Sequence, residues 1–387
     1  MLLAALASLP QWTWDVDPVM WAPPKGPVVA LIAAFGVISL LIGLKRKITD
    51  QVTTGGLFLA MAAVLWLLVK DDTVELRYYS LLFVVVFLGG HALLNWQVKR
   101  GGGSPEVASD FIVYGVLGVL VGARLGHVLF YDLEHALKNP WWVFKIWTGG
   151  LASHGAVIGL ILAMYWFTKK RGVPFLEGAD RFAFSATLGA TVVRIGNLMN
   201  SEIVGRQVPD QSWGMRFPRF DNQVPLAEVP LRYPSQIFEI LLGCFVFAGL
   251  FVADRLMGHE KRPRGALISW FFILYFGGRI FTERFKEIEA LDKDSMFTMG
   301  QYLSVPCLLL GIYGLWRAYK RAEPAGWVEP GEERDDDDVE EEPEEEDETD
   351  DDDDTGDDDK DTADSDEDPD VAAEFEGGKL KKQRDPG

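Results

Sequence analysis

Arg194 and Asn197 stand three residues apart, so a helix would carry both on one face. Glu202, Gly205 and Arg206 follow, closing a run from Arg194 to Arg206 that directly succeeds the apolar stretch Phe182–Val193. A second set, Tyr275, Arg279 and Glu283, is spaced at i, i+4 and i+8, again one helical face. Arginine keeps its charge at every working pH, and its planar fork fits a phosphate with two parallel hydrogen bonds. Two arginines at one membrane depth therefore point to an anion, and a phospholipid headgroup is the commonest phosphate there. His154, between Ser153 and Gly155, is either a proton acceptor or a hydrogen-bonded packing residue. Arg279 and Glu283 alone would also suit a structural ion pair, and Arg194 a positive anchor at the membrane surface. Against the anchor stands the cost of about 2.5–3.5 kcal/mol for a charge near the bilayer centre, which drives such residues toward a cavity or a partner.

The composition averages two unlike parts. The chain has 387 residues, 48% of them hydrophobic, and a net charge of −20. From Glu329 to the C-terminus there are 32 acidic residues against 6 basic ones, so the residues before the tail are net positive. The tail has too few apolar residues to bury and is expected to be disordered. No concentrated basic face is present, so nucleic acid is not an expected partner. Cys244 and Cys307 lie in apolar runs without metal-ligand or disulfide spacing and are expected to be small core residues. No phosphate-cradling glycine loop, nucleophile elbow or His/Cys cluster occurs, and neither a metal nor a cofactor is expected.

The elements that must position these residues are apolar runs long enough to cross a bilayer. Nine are expected: Val28–Leu44, Gly55–Val69, Leu76–Trp96, Ala108–Tyr131, Leu151–Phe167, Phe175–Asn197, Gln236–Val252, Ala266–Phe285 and Met299–Tyr319. The basic clusters Lys45–Lys47, Lys99–Arg100, Lys169–Arg171, Arg255–Arg264 and Arg317–Arg321 all fall on one side under alternation, which makes that side cytoplasmic. The chemistry-bearing residues then gather at the outer ends. The expected fold is an all-α polytopic membrane protein. It divides into a two-helix extension at 1–74, a seven-helix core at 75–322 with a small outer head at 198–234, and a cytoplasmic acidic tail at 323–387.

At these residues the chain resembles the prolipoprotein diacylglyceryl transferase family. Arg194–Arg206 is similar to the family's Arg-x-Gly-Asn-Phe-x-Asn-x-Glu-x-x-Gly-Arg signature, with Leu198 in place of phenylalanine. Further blocks agree in order: Arg77–Ser80, Gly122–Tyr131, Gly149–Ala156, Arg232–Gln236, Tyr275 with Arg279 and Glu283, and Ser295–Gln301. Ala156 and Tyr233 depart from the family's glycine and histidine. The resemblance implies a bacterial inner-membrane enzyme with its site toward the periplasm. Such an enzyme moves diacylglycerol from phosphatidylglycerol to the lipobox cysteine in a prelipoprotein signal peptide, releasing glycerol 1-phosphate. It further implies His154 as general base and Arg194 and Arg279 as phosphate ligands. Tyr79, Asn197, Glu202, Gly205, Tyr275 and Glu283 would shape the lipid site. A lipid-binding protein or flippase without transferase activity is the competing expectation.

Overall fold

In the computed structural model the described residues are 11–211, 213–287 and 297–329. The first ten residues, Ser212, the 288–296 segment with Ser295 and Met296, and the acidic tail from 330 onward lie outside them. Among the described residues, every expected span is a helix of 17 to 25 residues. In chain order these are α1 (Lys25–Arg46), α2 (Thr49–Leu68), α3 (Tyr78–Arg100), α4 (Glu106–Phe130), α6 (Ser153–Arg171), α7 (Phe175–Met199), α8 (Ser235–Leu256), α9 (Ala266–Thr282) and α10 (Met299–Arg321), with a short α5 (Leu133–Lys138). Six of these are both long and apolar enough to cross a membrane: α1, α3, α4, α7, α8 and α9 with its extension to Phe285. Their outward faces stay apolar, with Leu241, Phe245 and Leu256 more than half exposed, as lipid contact requires. The protein is a multi-pass, all-α membrane protein. Among the described residues, the strands are β1 (Gln11–Thr13) parallel to β4 (Gly214–Arg216), and β2 (Val19–Trp21) antiparallel to β3 (Leu76–Arg77).

Helix ends follow local chemistry. Pro105, Pro174 and Pro234 stand at the N-caps of α4, α7 and α8, and Gly172 closes α6 in the left-handed conformation that glycine adopts without strain. Thr298 and Gln301 form a reciprocal capping box at the start of α10. Asp180, buried in α7, accepts the backbone N–H groups of Gly265 (2.6 Å) and Ile268 (2.8 Å), so a carboxylate from one helix caps the next. Helices without a hydrophobic drive between them pack where small residues allow close approach. A side chain on Gly118, Gly122 or Gly126 of α4 would strike the backbone or side chains of α6 around Gly155 and Gly159.

The C-terminal ends of α3 and α8 and the first turns of α7 are tied by an ion network. Arg100 pairs with Asp254 (2.7 Å) and Glu260 (2.7 Å), and Arg181 pairs with Glu177 (2.6 Å) and Glu260 (2.5 Å). Arg262, fully buried, reaches Asp254 and Glu260. Arg100 and Arg262, members of the expected basic clusters, therefore hold helices together. Trp327 is 2% exposed in the core with Val98 and Phe167, and its backbone N–H donates to the Gly101 carbonyl at 2.7 Å. Residues 323–329, inside the expected tail bounds, thus pack against the helices.

Burial works against the charge of Glu260, but the hydrogen bonds and charge of Arg181 prevail and hold its pKa down at about 2, against an ordinary 4.5. A depressed carboxylate pKa contributes stability that is complete above the unfolded value and is lost as pH falls through the folded one. Thermal midpoints of the detergent-solubilised protein should therefore drop between about pH 4.5 and pH 2. Glu260→Gln should start lower and lose that part of the slope. An equally steep acid slope in the variant would remove Glu260 from the account.

Candidate functional site

The last turn of α7 presents Arg194 and Asn197 on one face, as their spacing requires. Arg194 Nη1 donates to Asn197 Oδ1 (3.1 Å), and Asn197 Nδ2 donates to Glu202 Oε1 (2.8 Å). Beyond Met199 the chain turns back through Ser201 and Ile203, whose φ values are 52° and 55°. A β-branched residue there is strained and needs outside support. The start of α8 supplies it: Ser235 Oγ donates to the Ile203 carbonyl (3.0 Å) and Gln236 Nε2 to the Glu202 carbonyl (2.9 Å). The Pro234-Ser235-Gln236 block is thus the clamp on the signature stretch.

Gly205 sits where three backbone segments meet. A Cβ there would collide with the Tyr233 carbonyl oxygen and lie 2.8 Å from that of Phe285. The neighbouring Arg206 N–H donates to the Phe285 carbonyl (3.0 Å), and the Tyr233 N–H donates to the Arg206 carbonyl (3.1 Å). Tyr233 fills an aromatic cluster with Trp213 and Phe285. The polar segment 198–234 is further held by buried Arg232, which pairs with Asp221 (2.7 Å) and Glu287 (2.8 Å). Burial opposes the Arg232 charge, but the Asp221 hydrogen bonds and the two carboxylate charges raise its pKa above the usual arginine value.

α9 brings the second set. Arg279 Nη2 lies 3.1 Å from Glu283 Oε1, with Tyr275 one turn earlier on the same face. Glu283 is in a 3-10 turn past the helix end and also accepts from Thr298 Oγ1 (3.3 Å). Two residues that the spacing arguments passed over join the sets. Lys286 Nζ lies 3.0 Å from Glu283 and 3.1 Å from Glu239 Oε1, while Glu239 Oε2 lies 3.2 Å from Arg194 Nε. Glu239 occupies the second turn of α8, where one acid in an apolar run reads as a helix-end charge. Its signal was depth: an acid inside a membrane span needs a partner. Arg194, Arg279 and Lys286 are thereby matched by Glu202, Glu239 and Glu283. Tyr79, at the start of α3, lies with its ring against Gly196, one residue before Asn197.

His154 is placed differently. It is exposed at the start of α6, and among the described residues its side chain makes no hydrogen bond or ion pair. The structure does not bring it into contact with either arginine. The connection leading to it is fixed by Arg124, which is 3% exposed and donates to the carbonyls of Trp142 (2.6 Å), Val143 (2.8 Å) and Gly149 (2.6 Å). Its guanidinium lies 4.1 Å from the centre of the Trp142 ring, a cation–π contact. Gly155, beside His154, is dictated by the packing of α6 on Gly122. Among the described residues no group of three or more His, Cys, Asp or Glu could hold a metal ion.

A family model described as prolipoprotein diacylglyceryl transferase matches residues 67–317. Curated relatives agree. The phosphatidylglycerol–prolipoprotein diacylglyceryl transferase of Legionella pneumophila strain Paris is 35% identical over 247 residues, covering 62% of this chain and 92% of its own. The protein of the same name from Acinetobacter baylyi is 35% identical over 253 residues, covering 64% of this chain and 89% of its own.

Gly205→Ala tests the packing at the signature. It should separate the 201–206 segment from Tyr233 and Phe285 at a cost of about 1–3 kcal/mol, the usual range for overpacking. The thermal midpoint in detergent should fall. An unchanged midpoint would show that the three backbones can part freely.

Proposed function

The chain belongs to the prolipoprotein diacylglyceryl transferase family, and from that premise we propose that its arginine-lined site transfers the diacylglyceryl group of phosphatidylglycerol to the lipobox cysteine of a prelipoprotein. This is the first step of bacterial lipoprotein maturation. The observation that carries the reading is the continuous ion network joining Arg194 to Arg279 through Glu239, Lys286 and Glu283. In the reaction the cysteine sulfur attacks the diacylglycerol carbon bonded to the phosphate oxygen. A C–S bond forms, the C–O bond breaks, and its electron pair stays with glycerol 1-phosphate. The phosphodiester carries one negative charge and the leaving phosphate gains a second. Groups that meet this second charge stabilise the transition state more than the ground state. Arg194 and Arg279 suit that role because they cannot give up their charge.

The thiol must lose its proton, since the thiolate is the nucleophile. His154 is the proposed general base: it is exposed, and its side chain is tied to no described residue. Asn197 and Glu202 orient Arg194, and Glu283 orients Arg279. Gly205 fixes the turn, and Tyr79 and Tyr275 line the lipid side. In this arrangement residues 1–74 add two helices to a seven-helix core, the 198–234 head faces the periplasm, and the acidic tail is cytoplasmic at the inner membrane. The basic clusters on the opposite helix ends support that orientation.

The test is transfer in vesicles containing phosphatidylglycerol and a lipobox peptide carrying either cysteine or serine. Wild type should release glycerol 1-phosphate only with the cysteine peptide. Arg194→Ala and Arg279→Ala should each lower the rate roughly 100- to 1,000-fold, the range for losing one charge-stabilising donor. His154→Gln should lower it by about 100-fold or more. Survival of activity in His154→Gln would move the base elsewhere. Lipid binding without phosphate release by wild type would sink the transferase reading.

A further inference from the structure

Glu239 and Lys286 take part in none of the steps just given, yet they occupy the centre of the network. Both are nearly enclosed, with side-chain exposures of 5% and 10%. Glu239 divides its two oxygens, Oε2 toward Arg194 Nε at 3.2 Å and Oε1 toward Lys286 Nζ at 3.1 Å. Lys286 in turn stands between Glu239 and Glu283, at 3.1 Å and 3.0 Å. The path from Arg194 to Arg279 therefore crosses α7, α8 and the end of α9 without a gap. Resting on the transfer reading, we infer that Glu239 and Lys286 are positioning residues that set the spacing and aim of the two phosphate-binding arginines.

The physical argument has two parts. A guanidinium is planar, so contacts at two of its nitrogens fix its plane. Arg194 donates a hydrogen bond from Nη1 to Asn197, and its Nε lies 3.2 Å from Glu239 Oε2 in an ion pair, so two sides of the guanidinium face fixed partners. This is preorganisation, which spares the substrate the cost of ordering a flexible side chain. The second part is competition. Two carboxylates near two arginines would satisfy them in bidentate pairs and shut out a phosphate. Lys286 takes Oε1 of Glu239 for itself and shares Oε1 of Glu283 with Arg279, while Thr298 Oγ1 donates to Glu283 Oε2, so neither carboxylate can close fully on its arginine. Removing the ammonium also leaves two enclosed carboxylates facing each other, which repel and swing onto the guanidinium groups.

The signature of this role lies in phosphatidylglycerol binding. Steady-state transfer would be measured on the full chain in the same vesicles for wild type, Glu239→Gln, Lys286→Met, Lys286→Arg and the double variant Glu239→Gln with Lys286→Met. Each of the two neutralising variants should raise KM for phosphatidylglycerol about tenfold or more, with a smaller change in kcat. Lys286→Arg should recover most of the loss. The double variant should be no worse than its more impaired single parent, because both changes break one bridge. Losses that multiply in the double variant, or neutralising variants with wild-type KM, would overturn the inference while leaving the transferase reading intact. If Glu239→Gln cannot be purified folded, the Lys286→Met and Lys286→Arg pair decides on its own, since a purely structural lysine would change yield and not the KM-to-kcat split. A wild type that releases no glycerol 1-phosphate would count against the transferase reading and this inference together.

Discussion

Arg194 and Arg279 reach the ends of helices whose other faces are apolar, and neither guanidinium can shed its proton to escape the cost. The rest of that end of the bundle is arranged around that constraint. Glu202, Glu239 and Glu283 supply three opposing charges, and Lys286 keeps the carboxylates apart. Breaking one partner of such an enclosed set leaves a charge unmatched, which is far costlier than the set is stabilising. The cluster is thus held together chiefly by the penalty for opening it. In the proposed reaction a substrate phosphate would escape that penalty, because it brings its own negative charge to the same donors.

The same constraint explains the backbone around the site. Glu239 and Glu283 must reach two arginines, and Glu202 the Asn197 beside one of them, from different elements, so the chain after α7 has to double back toward α8 and the end of α9. It does so through left-handed Ser201 and Ile203 and a glycine at 205 that lets three backbones touch. The strain at Ile203 is tolerated because Ser235 and Gln236 hold the turn by its carbonyl groups. Local strain and tight packing are here the means of delivering Glu202, Asn197 and Arg194 to one place.

How far this could be read from the sequence follows from range. Hydropathy is a local property, and the runs Phe175–Asn197 and Ala266–Phe285 locate α7 and α9 almost to the residue. The i, i+3 and i, i+4 spacings correctly put Arg194 with Asn197 and Arg279 with Glu283, because those contacts stay within one helix or its extension. What joins the two sets is long-range. Glu239 looks like a helix-end acid and Lys286 a loop charge until α7, α8 and α9 are brought side by side. At the tail the expected bound at 323 followed the end of the last apolar span, and a single long-range anchor, Trp327, is what packs 323–329 into the core. His154 stays where the sequence left it, since no partner in the structure chooses between packing and proton transfer.

The two ends of the bundle use the same chemistry for opposite purposes. At the end holding Arg100 and Arg181 these arginines meet carboxylates at 2.5–2.7 Å, and Arg100 grips both oxygens of Asp254. At the end holding Arg194 and Arg279 the ion pairs lie at 3.0–3.2 Å, and among the described residues each of these two arginines meets only one oxygen of its carboxylate. Bidentate pairing at the shorter distance satisfies both partners and leaves little for a ligand. Single-oxygen pairing leaves each arginine partly unsatisfied, and an anion can improve on what the protein provides. Helix association is secured at one end, and the helix ends at the other can then remain incompletely paired without the bundle coming apart. A site that must accept a phosphodiester and release a phosphate needs that division, because donors saturated by their own carboxylates would bind neither.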